Sequence, residues 1–222
     1  MKSKSLLFAL LFISLTQVGL AQSPGSFRSN ETHGLGFSII GGGGLGSSIF
    51  YDFAINSELQ AHFFASTVTD VGASFFETNS STLQKNLAGV TLRIFPSEEF
   101  GFFIGIGAGA YSASQTVEQD IYCYSYFTSS NPAECSGYEG TRIKQTTESE
   151  LSGSAGFGEI GWQGYDGYYF TIGSRGGSIS VSEEIDNTNN IIDSSNHKEY
   201  AKEQWETAKV LSQGYISFGW HF

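Results

Sequence analysis

Proline, methionine and cysteine are scarce in this 222-residue chain, with three, one and two copies, the methionine being the first residue. Scarce proline leaves long stretches free of the residue that breaks a strand ladder. The two cysteines, Cys123 and Cys135, stand in "CYSYFTSSNPAEC" with neither CxxC spacing nor an adjacent histidine. That arrangement speaks against a thiolate metal site or a redox pair. Basic residues are also few: 11 Lys and Arg against 22 Asp and Glu, a formal charge of −11. Nucleic-acid phosphates need more Lys and Arg than this, so nucleic acid is excluded as a partner class. Beyond the amino terminus no apolar run approaches the ~20 residues of a membrane-spanning helix.

The amino terminus itself, "MKSKSLLFALLFISLTQVGLAQ", has Lys2 and Lys4, an apolar stretch over 6–15 and small residues at Gly19 and Ala21. This is the pattern of a secretory signal peptide, with cleavage expected after Ala21. Residues 22–32 then form a short lead, and 33–222 one domain. In an exported protein the two cysteines around Asn131-Pro132 are expected to close one disulfide, Cys123 to Cys135.

From Gly34 onward the chain alternates with period two. Leu35, Phe37 and Ile39 share a face, as do Ile49, Tyr51 and Phe53, then Ala88, Val90, Leu92 and Ile94, then Phe102, Ile104, Ile106, Ala108 and Ala110. One apolar face in strict alternation is the signal of a strand. The connections are unequal. "NSE" (56–58), "PSEE" (96–99) and "QGYDG" (163–167) are tight turns, whereas 69–81, 117–142 and 182–206 are long polar stretches. Short turns at one end and long loops at the other describe a transmembrane β-barrel, with periplasmic turns and extracellular loops. Four hairpins give eight strands, the first hairpin turning over "GGGG" at 41–44. The sheet has to close, because hydrocarbon offers no partner to a strand edge. Phe53, Phe100, Trp162, Tyr168, Trp220 and Phe222 gather near the short-turn end, as an interfacial aromatic girdle does. The expected fold is thus all-β: a closed antiparallel eight-stranded transmembrane barrel.

The signal peptide, the strand count and the terminal "GYISFGWHF" resemble the small outer-membrane barrels of Gram-negative bacteria, the OmpA/OmpX-like group. The resemblance covers essentially the whole chain after Ala21. It implies that Gly214, Ile216, Phe218, Trp220 and Phe222 act as an assembly signal read by the barrel assembly machinery. It implies a monomer in the bacterial outer membrane, surrounded by lipid and lipopolysaccharide. It does not name a function, since one architecture carries many.

"GFGEIG" at 156–161 fits the dinucleotide pattern, but it opens no helix and belongs to no βαβ unit, so it reads as strand. Parity or position places Asp52, His62, Lys85, Arg93, Glu159 and Arg175 in the lumen. Eight strands leave an interior that side chains fill, and buried charges have to pair. These residues are expected to plug the barrel rather than line an open pore, with Asp52 or Glu159 as partners of Arg93. The four histidines lack a serine and a carboxylate at catalytic spacing, so no catalytic residue is assigned and no enzyme expected. The acidic stretch 182–206 lacks the glycine and bidentate glutamate of an EF-hand, so neither a metal nor another cofactor is expected. The expected role is structural or surface-interacting, through extracellular loops that meet an outside partner. A narrow gated channel or small-ligand carrier is the second reading, and a lipid-A-modifying enzyme the third.

Overall fold

The computed structural model describes residues 28, 31–42, 44–73, 79–97, 99–122, 140, 142–166, 168–189, 202 and 205–222. The expected signal peptide, Cys123 and Cys135 lie outside them. Eight strands follow in order: β1 (His33–Gly41), β2 (Leu45–Ala54), β3 (Leu59–Ala73), β4 (Asn79–Ile94), β5 (Phe102–Tyr122), β6 (Arg142–Asp166), β7 (Tyr168–Asn189) and β8 (Val210–His221). Each pairs with its sequence neighbours, and β1 pairs with β8, so the sheet is a closed antiparallel barrel. The seam runs from Gly34 opposite His221 to Gly41 opposite Gly214. His33 and Phe222 extend it with reciprocal backbone bonds of 3.3 and 2.8 Å.

The first hairpin does turn within the glycine run. Gly42 and Gly44 hold φ of 118° and 138°, a region L side chains avoid and glycine enters freely. The turns at the opposite end are short, as expected. The long polar stretches, however, are not loops throughout. β5, β6 and β7 run for 21, 25 and 22 residues, well past the 9–11 or so that cross a bilayer. Their outer parts lost the apolar outward face that marks a strand in sequence, and inside polar side chains such as Gln115, Thr147 and Ser149 are buried beside apolar ones while the ladder continues. β7 also carries a bulge at Ser182: Val181 pairs with Gly153 and Glu183 with Ser152. Through β6 the parity holds from Leu151 to Gln163, which keeps Glu159 inward.

The exterior follows the alternation. Leu35, Phe37, Ile39, Ile49, Phe63, Val90, Ile104, Ile106, Ile160 and Phe218 all point outward and are exposed. Of the expected girdle, Phe53, Phe100, Trp162, Trp220 and Phe222 face outward; the side chain of Tyr168 lies outside the described residues. His33 joins the girdle, stacking on Tyr51 and Phe222 and lying 5.4 Å from the Phe53 ring. Among the described residues no helix is long and apolar enough to cross a membrane; the crossing element is the sheet.

Candidate functional site

The candidate site is the lumen, which side chains fill in three successive tiers. Several inward positions on β5 and β7 are glycine, Gly105, Gly107, Gly109 and Gly173 among them, and that lets large side chains from other strands fit. A Cβ on Gly173 would meet the Tyr215 hydroxyl at 2.3 Å, and one on Gly107 would meet the Phe157 ring at 2.3 Å. Small opposite large is how a narrow barrel fills.

The lowest tier closes the short-turn end. Phe95 and Phe103 are fully buried with ring centroids 5.5 Å apart. Arg28, from the segment before β1, lays its guanidinium over Phe95 at 3.7 Å and donates from Nε to the Ser57 carbonyl at 2.7 Å. Beside them, His221 sits at the foot of β8, with Nδ1 3.3 Å from the Glu31 carbonyl.

The middle tier is charged. Arg93 on β4 grips Glu159 on β6 with both arms, Nη2 to Oε1 at 2.9 Å and Nε to Oε2 at 3.3 Å. A second guanidinium, Arg175 on β7, reaches the same Oε1 at 3.4 Å. The Tyr215 hydroxyl from β8 donates to that oxygen as well. Asp52 lies 2.6 Å from Nδ1 of His62 and 3.8 Å from Nη1 of Arg93. All of these side chains are buried. Both carboxylates proposed from sequence as partners of Arg93 are therefore present, Glu159 in direct contact and Asp52 more distant. The arginines also stack, Arg93 over Phe103 at 4.7 Å and Arg175 over Phe64 at 3.7 Å, which ties the charged tier to the tiers on either side.

Five of the six expected lumen residues thus meet. Lys85 does not. It shares the inward parity but sits two turns of the alternation above Gly89, where its ammonium donates to the Thr207 carbonyl at 2.8 Å. Tyr215 is the member that sequence reasoning passed over. Its parity placed it inside, but only titratable charges were being followed there.

The upper tier is apolar. Phe50, Phe64, Leu83, Leu87, Leu151 and Phe157 pack into one buried cluster, joined by Trp205 and Ala208 from a helical turn over 205–208 just before β8. Among the described residues no group of three His, Cys, Asp or Glu forms a metal-holding arrangement. Chemically the site is a buried network of paired charges between a lower tier of Phe95, Phe103, Arg28 and His221 and an apolar upper tier, built to stay shut.

No family model matches the sequence, and no curated protein matches it. Among solved structures it is similar to CarO of Acinetobacter baumannii, with a TM-score of 0.49 and 9% identity over 86% of this chain and 98% of that one. CarO2 of the same species gives 0.49 and 11% over 85% and 98%. Ail, the attachment invasion locus protein of Yersinia pestis, gives 0.46 and 7% over 86% and 97%. At these values the likenesses add nothing to what the register, the closure and the apolar exterior already establish. The chain is a closed eight-stranded β-barrel of the transmembrane kind. Its apolar belt faces lipid, its seam leaves no open edge within that belt, and its lumen is packed.

Proposed function

We propose that this barrel is a membrane-anchored surface protein that engages a partner outside the cell through the part of its sheet that rises above the lipid. The observation that carries the reading is the overshoot of β5, β6 and β7. On β5 the outward face is Phe102, Ile104, Ile106, Ala108 and Ala110, then changes to Ser112, Ser114, Thr116 and Glu118 while the ladder continues to Tyr122 opposite Arg142. At about 3.3 Å per residue, the stretch 112–122 adds roughly 35 Å of strand beyond the apolar belt. A barrel needed only to span lipid has no use for it.

The overshoot ends in an edge. β8 begins at Val210 opposite Ser178, so among the described residues 179–189 of β7 pair with β6 alone. Val181 and Ile185 are exposed along it, and Glu183 and Glu184 stand between them. An unpaired edge outside the membrane accepts a further strand by main-chain pairing, and its acidic residues favour a basic one. The test is binding of two alternating peptides, Lys-Val and Glu-Val, to the protein in nanodiscs. The Lys-Val peptide should bind, the Glu-Val peptide should not, and Val181→Lys with Ile185→Lys should abolish binding while the barrel stays folded. Equal binding of both peptides, or binding unaffected by the lysines, would sink the reading.

A further inference from the structure

The helical turn over 205–208 is not part of the barrel wall, yet it closes the outer mouth. Trp205 is 8% exposed and Ala208 fully buried, both inside the apolar cluster of the upper tier. Among the described residues the turn belongs to no strand pairing. Side-chain bonds attach it to the wall: Tyr111 donates to the Ala208 carbonyl at 2.6 Å, Lys85 to the Thr207 carbonyl at 2.8 Å, and the Trp205 indole to Glu184 at 2.5 Å. Lys209, next to the turn, lies 3.3 Å from Glu184 and 3.5 Å from Glu206.

Glu184 owes its place to the bulge at Ser182. The extra residue reverses the parity of β7, so Glu184 stands opposite inward-facing Leu151 and leans over the mouth rather than outward. We propose that the 205–208 turn is a removable plug of the extracellular mouth and that Glu184 is its latch, holding Trp205 and Lys209 at once. A fixed wall in a barrel is fastened by ladder bonds along its length. This segment is fastened by side chains, two of which, Glu184 and Lys209, are 39% and 30% exposed and open to competition from solvent. Their charges are set for the latch. The Trp205 indole bond, followed by Lys209, holds the Glu184 carboxyl below the usual carboxylate range. Lys209, although partial burial opposes its charge, is raised by Glu184 and Glu206. Withdrawal of the turn would uncover the apolar tier and leave the charged tier beneath it closed.

The experiment reads local opening through a buried thiol. In a background with Cys123→Ser and Cys135→Ser, Leu211→Cys places one thiol in the apolar tier, where Leu211 is 3% exposed; Leu83→Cys serves if that variant fails to fold. The refolded protein is treated with a charged, water-soluble methanethiosulfonate. The parent thiol should react slowly. Glu184→Ala with Lys209→Ala should speed it about tenfold, the loss of a charge-assisted bond, with the urea midpoint of the whole barrel unchanged. Glu184→Gln, which keeps the indole bond and loses the lysine, should fall between, and Trp205→Ala should be fastest. A parent thiol already fast, or one slow in every variant, overturns the proposal. So does acceleration that tracks a fall in the global midpoint, since that reports unfolding and not a plug.

Discussion

At the scale of single residues, Glu159 is the centre of the lumen. Arg93, Arg175 and Tyr215 all bond to it, whereas Asp52 has His62 close by and Arg93 at longer range. This asymmetry ranks substitutions. Removing Arg93 leaves Glu159 with Arg175 and Tyr215, and leaves Asp52 with His62, so each carboxylate keeps a partner. Neutralising Glu159 leaves two guanidiniums facing one another with no carboxylate between them. Breaking a buried pair typically costs about 3–5 kcal/mol. Arg93→Ala should fall at the lower end of that range and Glu159→Gln at or above the upper end, as read from urea midpoints of the heat-modifiable band. The reverse order would mean that Asp52, not Glu159, is the anion on which the network depends.

At the scale of elements, β8 both completes the sheet and closes it. Its inward residues alternate strictly with outward ones, and Phe222 at its foot is exposed while its N–H bonds to the His33 carbonyl. Deleting Phe222 removes that bond and one ring of the stack on His33. Replacing Phe222 by aspartate keeps the backbone bond but puts a charge at the lipid interface. Both variants should lower the amount of folded, heat-modifiable protein in the outer membrane, the deletion more strongly, with chain accumulating in the periplasm. Unchanged levels in both would separate the terminal aromatic pattern from assembly. The strands that lie in lipid were legible in the sequence because each position there obeys one constraint, apolar outward. Their continuations were not. Past Ala110 on β5 the outward face turns polar at Ser112, Ser114 and Thr116 while Ala113, Gln115 and Val117 stay buried, so no apolar outward face marks the ladder there. The plug was hidden for a different reason: "KEYAKEQWETA" reads as a short helix within an acidic loop, and only the tertiary position of Trp205 marks its end as core.

At the scale of the whole molecule, the lumen is three barriers in series. From charge and parity alone, Arg93 looked like the residue deciding between plug and pore, so that its removal would open a conductance. The structure changes that expectation, because Arg93 belongs to one tier among three. Below it, Phe95, Phe103 and Arg28 close the foot of the barrel; above it, the apolar cluster closes the mouth. Ions crossing a series of barriers are held by the highest one remaining, and an apolar constriction excludes them by dewetting as firmly as a salt bridge does by filling space. In planar bilayers the parent should therefore be silent. Arg93→Ala should be silent too, although destabilised, and so should Trp205→Ala, in which only the mouth is opened. Brief small openings should appear only when the middle and upper tiers are weakened together, as in Arg93→Ala with Trp205→Ala, and they should be rare while Phe103 keeps the foot closed. A steady conductance in the parent would refute the series picture and make the charged tier the lining of a working pore. Conductance in Arg93→Ala alone would show that the apolar tier admits water, and that the charges were the only seal.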